Sequence, residues 1–158
     1  MHIRKATLDD ALACFAIRRD AILAQCGGHY PEADLDIWTS GIMSPTFAQR
    51  VADHFYVAVA DGHLVGTAMI DLVTGKIDAV FVLSGYMGRG IGRALMAQME
   101  SLALDVGLDS IQLESTLNAA PFYRALGFQG DTQSTYQSSL GVSLTCVPMV
   151  KHMAERTG

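Results

Sequence analysis

The chain has 158 residues, 50% of them hydrophobic and 17% charged, with a formal net charge of −5. This is the size and composition of one globular domain, residues 1–158, with a real hydrophobic core; it is not that of a disordered segment. With no basic run and no aromatic–arginine stripe, the chain lacks the clustered cations of a nucleic-acid groove, so no nucleic-acid partner is expected. No stretch approaches the roughly 18 apolar residues of a membrane span, and the opening MHIRKATLDD has no apolar signal core. Cys14, Cys26 and Cys146 form no CxxC pair and are odd in number. A reducing, cytoplasmic location without disulfides is therefore expected, with no membrane partner. The five histidines are scattered without HxH or HxxxH spacing, so no metal is expected.

In chain order, HIRKAT reads as a first strand. Thr7 stands three before Asp10, a capping-box spacing, and Leu8, Leu12, Phe15, Ile22 and Leu23 predict one face of a helix over residues 8 to 26. Gly27, Gly28 and Pro31 stop it. A second helix is expected over residues 31 to 40, with Leu35 and Trp38. A third is expected in SPTFAQRVADH, with Pro45 in its first turn. The pattern then changes to strands. FYVAVADGHLVGTAMIDL is a hairpin about Asp61-Gly62, and KIDAVFVL is the next strand. A helix over about 91 to 106 buries Ile91, Leu95, Met99, Leu102 and Val106, and Gly107 ends it. SIQLEST is a strand, NAAPFYRALGF a short helix stopped by Gly127, and the tail two strands about Gly141. The expected fold is α/β, a mixed sheet with helices on both faces.

The stretch GYMGRGIGRALM places Gly85, Gly88, Gly90 and Gly92 between a buried strand and a helix. Glycine there lets an anion reach backbone N–H groups at a helix N-terminus, and Arg89 and Arg93 add positive charge. Two phosphate motifs fail by counting. GxGxxG read from Gly88 meets Arg93 in place of its last glycine, and a P-loop read from Gly85 meets Ile91 in place of its lysine. A nicotinamide or nucleoside-triphosphate site is thereby disfavoured.

VFVLSGYMGRGIGRALM resembles the acetyl-CoA signature of the GNAT superfamily, the GCN5-related N-acetyltransferases. In that signature [RQ]xxGx[GA] opens a helix, and its six positions here are Met87, Gly88, Arg89, Gly90, Ile91 and Gly92. NAAPFYRALGF is similar to the family's second conserved segment, and VPMVK to its last strand. The resemblance spans essentially the whole chain. It implies a mostly antiparallel sheet of six to seven strands flanked by helices, and direct acetyl transfer from acetyl-CoA to a primary amine. Two departures stand out. Met87 replaces the usual Arg or Gln, and Ser84-Gly85 replace a frequent Pro-Glu pair, which predicts a looser loop.

The resemblance assigns roles. N–H groups of residues 87 to 93, Arg93 included, hold the pyrophosphate. Val80, Phe81 and Val82 pair with the pantetheine arm, and an N–H near Val82 polarises the thioester carbonyl. Asn118 hydrogen-bonds the arm. Tyr123 is the expected general acid to the CoA thiolate, and Asp78 the expected base, with Asp71, Glu114 and His54 as weaker candidates. Tyr30 and Trp38 are expected to line the acceptor side. The acceptor is a small-molecule or protein amine, and the acidic net charge suits a cationic one. Dimers are common in the family, so a homodimer is among the expected partners. A non-catalytic acyl-CoA-binding or sensing module on the same fold is the alternative reading.

Overall fold

A computed structural model describes residues 1–153; the expected domain's residues 154–158 lie outside the described residues. β1 (His2–Lys5) leads through a 3₁₀ turn, Leu8–Asp10, into α1 (Ala11–Gln25), followed by α2 (Glu32–Trp38) and α3 (Pro45–His54). Then come β2 (Phe55–Ala60), β3 (His63–Asp71), β4 (Lys76–Val82), α4 (Ile91–Asp105), β5 (Ser110–Ser115), α5 (Ala120–Ala125), β6 (Ser134–Gln137) and β7 (Ser143–His152). The seven strands form one sheet in the order β1-β2-β3-β4-β5-β7-β6. Only β4 and β5 run parallel; every other pairing is antiparallel.

Local chemistry explains most element ends. The Thr7–Asp10 capping box forms, with the Asp10 carboxylate accepting the Thr7 N–H at 2.9 Å and Arg4 holding the same carboxylate at 2.8 and 3.0 Å. Ser44 caps α3 by accepting the Phe47 N–H at 3.1 Å, with Pro45 at the first position. Asp61 (φ 53°) and Gly62 (φ 80°) make the β2–β3 turn, both left-handed as a two-residue type I′ hairpin demands. α4 ends in a Schellman motif, with Leu108 N–H on Ala103 O and Gly107 N–H on Leu104 O.

The core has two sides. α4 and α5 bury Leu95, Met96, Met99, Ala103 and Tyr123 against Ala58, Val65, Ala68 and Ile70. α1 and α3 bury Cys14 and Val51 against Val57 and Met69 on the opposite face. The buried face of α1 differs from expectation. Ala11, Cys14, Ile17, Ala21 and Ile22 turn inward, while Leu8, Leu12 and Leu23 are exposed. Small residues on the inner stripe let α1 lie close to the sheet, and apolar spacing alone does not report that depth. Val106, expected in the core, is likewise exposed, because α4 has already turned into its C-cap there.

Two irregularities shape the centre of the sheet. The β3–β4 register shifts between Met69, opposite Ala79, and Ile70, opposite Ile77, leaving Asp78 as the extra residue on β4. Moreover, β4 and β5 pair only through Lys76↔Gln112 and Ile77↔Leu113. Beyond Ile77 the two strands part.

Candidate active site

The parted strands leave half of an edge bare in the middle of the sheet. The Leu83 N–H bonds Val65 O on β3 at 2.9 Å. By the alternation of a strand, the N–H and C=O of Val82 and of Val80 then point the other way, into the gap. The Val82 carbonyl accepts the Gln25 amide at 3.2 Å, and the same amide lies 3.3 Å from Met87 Sδ. α1 thus reaches across the gap to the loop that precedes α4.

A cavity of about 450 Å³ runs along this opening. β4 contributes Asp78, Val80 and Phe81, β5 contributes Glu114 and Ser115, and the other side comes from α1, Trp38, Asn118 and Tyr123. Two buried polar atoms have no hydrogen-bond partner among the described residues, Thr67 Oγ1 and Asn118 Oδ1, and both residues line the cavity. A buried acceptor without a donor costs about 1–3 kcal/mol, so Asn118 Oδ1 fits a ligand that brings an N–H.

Tyr123 is 8% exposed on α5, flanked edge-on by Phe122 and Phe128. Burial alone pushes its phenol up to about 12. The group therefore stays protonated at neutral pH, as a proton donor must. Asp78 lies on the cavity wall, but its oxygens are taken. Oδ2 accepts from Arg50 at 2.9 Å and Oδ1 lies 3.6 Å from Lys76. Lys76 also meets Glu114 at 3.1 Å. Of the weaker candidates, Glu114 lines the cavity, whereas Asp71 and His54 do not.

The glycine loop sits outside the cavity, adjoining it through Gln25. Its glycines separate into distinct roles. Gly88 (φ 78°) and Gly90 (φ 81°) adopt the left-handed conformation, with Gly90 as the N-cap of α4, and a Cβ at either would meet open space. Gly92 packs closely instead, since a Cβ there would lie 3.3 Å from the Phe122 ring and the ring would have to shift slightly. Ile91, Gly92 and Arg93 head α4, where N–H groups have no partner within the helix. The Arg89 guanidinium stacks 4.8 Å from the Tyr86 ring centroid.

The loop is anchored, contrary to the looseness that Ser84-Gly85 predict. Asp20 on α1 accepts the Ser84 N–H at 2.8 Å and its hydroxyl at 3.2 Å. Tyr86 donates to Asp61 at 3.0 Å and lies 3.1 Å from His63 Nε2. Asp20 and Gln25 escape the sequence reading because a helix surface carries no local mark of what it will touch.

Tyr30 and Trp38 both line the cavity, and both also hold the fold together. The Tyr30 hydroxyl donates to Thr145 O and accepts the Leu117 N–H at 3.0 Å, tying the segment after α1 to β7 and to the β5–α5 loop. Trp38 is 8% exposed and packs near Tyr136, with ring centroids 6.3 Å apart.

A parted central pair, a helix headed by left-handed Gly88 and Gly90, and a buried tyrosine lining the gap thus make one cleft beside a helix N-terminus. The model of the acetyltransferase (GNAT) family matches residues 15–128, and the chain belongs to that family. It is 27% identical over 148 residues to aminoglycoside N(6′)-acetyltransferase type 1 of Stenotrophomonas maltophilia, covering 85% of this chain and 90% of that one. A GCN5-related N-acetyltransferase of Rhodopseudomonas palustris superposes with a TM-score of 0.89 at 26% identity, covering 96% of this chain and 95% of that one. PaiA N-acetyltransferase of Thermoplasma acidophilum, solved with coenzyme A, superposes at 0.75 with 19% identity, covering 96% and 98%.

Proposed function

We propose that the chain is an acetyl-CoA-dependent N-acetyltransferase that acetylates a primary amine by direct attack on the thioester. The observation that carries this reading is the β4 edge left without a strand partner from Val80 to the Val82 N–H, opened where β4 leaves β5, with Val80, Asn118 and Tyr123 lining one cavity beside it. Acetyl-CoA supplies the acetyl group as a thioester.

The residues divide the work as follows. The N–H groups that head α4, with Gly88 and Gly90 turned left-handed beside them, receive the pyrophosphate. Asn118 Oδ1 accepts an amide N–H of the pantetheine arm. The Val82 N–H, directed into the gap, donates to the carbonyl oxygen as negative charge gathers on it; removal of one such donor typically costs about 2.7–4 kcal/mol of barrier.

Tyr123 donates to the sulfur as the C–S bond breaks. A phenol pushed up to about 12 is a weaker acid than a thiol of about 8.5. Tyr123 therefore serves the leaving sulfur only while charge builds there, and the nitrogen's surplus proton restores the phenol. Asp78, ion-paired as it is, takes part as base through water. Much of the acceleration then comes from holding amine and thioester in register.

The test is thiol release from acetyl-CoA in the presence of a panel of primary amines, with the acetylated product identified by mass. Turnover that falls in Tyr123→Phe while coenzyme A affinity holds supports the reading. Acetyl-CoA binding without turnover on any amine overturns the catalytic assignment and favours a sensing module.

A further inference from the structure

The cavity carries one charge that no carboxylate among the described residues offsets. The charged side chains lining the cavity are Arg18, Arg50, Lys76, Asp78 and Glu114. Arg50 and Lys76 pair with Asp78 and Glu114, two cations against two carboxylates. Arg18 is left over. It is half-buried on α1 and has no carboxylate within ion-pair distance among the described residues.

Its surroundings hold it in place without neutralising it. Nη2 donates to Trp38 O at 3.2 Å, and the guanidinium lies 5.7 Å from the Trp38 ring centroid. One of its five N–H donors is thus used, and its plane is fixed by an aromatic wall. A half-buried guanidinium is costly without an anion. This one faces an opening large enough for a small molecule.

Position on α1 relates this charge to the thioester end. Gln25, which touches the Val82 carbonyl, follows Arg18 by seven residues, or about 10 Å of helix. A small acceptor can span that interval, with its amine towards Val82 and its far end at Arg18. On β3, Thr67 lines the same cavity, fully buried, with its hydroxyl unpartnered among the described residues.

Resting on the transferase reading, we propose that the acceptor is a small amine that also carries a carboxylate, and that Arg18 is the residue that reads that carboxylate. The chain's net charge of −5 suggests a cationic acceptor, but the cavity lining has the opposite balance. A polycationic amine would bring its charges against an unpaired guanidinium.

The test uses free amino acids, each paired with its own carboxamide, as acceptors for wild type, Arg18→Gln and Arg18→Lys. Calorimetric affinity for acetyl-CoA is measured on all three proteins. Wild type should favour the carboxylate member of a pair by roughly 10- to 100-fold in kcat/KM, carried mainly by KM. Arg18→Gln should bring that ratio close to one with acetyl-CoA affinity unchanged, and Arg18→Lys should restore part of it. A protein that only needed Arg18 to brace Trp38 would lose activity on both members alike. The proposal is overturned if wild type binds acetyl-CoA yet acetylates the carboxamide as well as the acid, or neither. It is also overturned if Arg18→Gln keeps the preference. Failure of wild type to bind acetyl-CoA overturns the transferase reading itself and is distinguished by that result.

Discussion

Asp20, on the outer half of α1, accepts both the N–H and the hydroxyl of Ser84, at 2.8 and 3.2 Å, across 64 residues of sequence. The contact fixes the turn from which the glycine loop departs. Replacing Asp20 with Ala removes two charge-assisted hydrogen bonds at a partly exposed site. Coenzyme A affinity should fall about 5- to 10-fold, equivalent to about 1–1.5 kcal/mol, with kcat little changed. Titration calorimetry reads the affinity; an unaltered Kd would show that the loop holds its shape without α1.

Gly90 separates conformational demand from steric demand. Its φ of 81° is the obstacle to a side chain, because a Cβ would meet nothing within 4 Å. Asn, which tolerates the left-handed region, should bind coenzyme A much better than Val, which strains it by about 1–2 kcal/mol or more. Equal losses in Gly90→Asn and Gly90→Val would contradict the conformational account.

For Tyr123 the sign of the pH dependence follows from its role. A general acid acts while protonated and is lost as pH rises through its pKa. Burial pushes that value up to about 12, above the ordinary phenol value of about 10. The kcat profile should therefore climb as the amine loses its proton and show no descending limb near pH ~10. Tyr123→Phe should lower kcat by roughly 10²–10⁴-fold. A descending limb near ~10 in wild type, absent in the variant, would show that the phenol titrates normally.

Asp10 gives a stability test away from the cavity. Its carboxylate is held below the ordinary range first by the Arg4 hydrogen bonds and also by the Thr7 N–H, while burial opposes them. A lowered folded-state value contributes stability above the unfolded pKa of about 3.9, and that contribution is lost as pH falls through the folded value. Asp10→Asn should cost about 1–2 kcal/mol at neutral pH, and the gap from wild type should close in acid. Urea melts at several pH values measure it; a gap that persists in acid would point to packing in place of charge.

Legibility in the sequence followed the range of the interaction. The Asp61-Gly62 turn, the Ser44-Pro45 helix start and the Gly107 stop are set by residues within a few positions, and all three stand where the residues predict. The glycine loop was legible as a turn into a helix, with Gly88 and Gly90 left-handed before α4, while Gly92 packs against Phe122. The inward face of α1 was legible only at Ile22, since the rest of its buried stripe is Ala11, Cys14, Ile17 and Ala21 while Leu8, Leu12 and Leu23 face outward. Arg18, Asp20 and Gln25 were not legible, since their partners lie 20, 64 and 57 residues away. β4 parts from β5 after Ile77, next to the β3–β4 register shift at Asp78, and no local residue pattern announces either.

The most direct measurement is calorimetric titration of the wild-type chain and of folded Gly90→Val with acetyl-CoA. The account predicts saturable one-to-one binding by wild type, weakened at least about 10-fold in the variant, or about 1.4 kcal/mol. Absence of acetyl-CoA binding to well-folded wild type would contradict it.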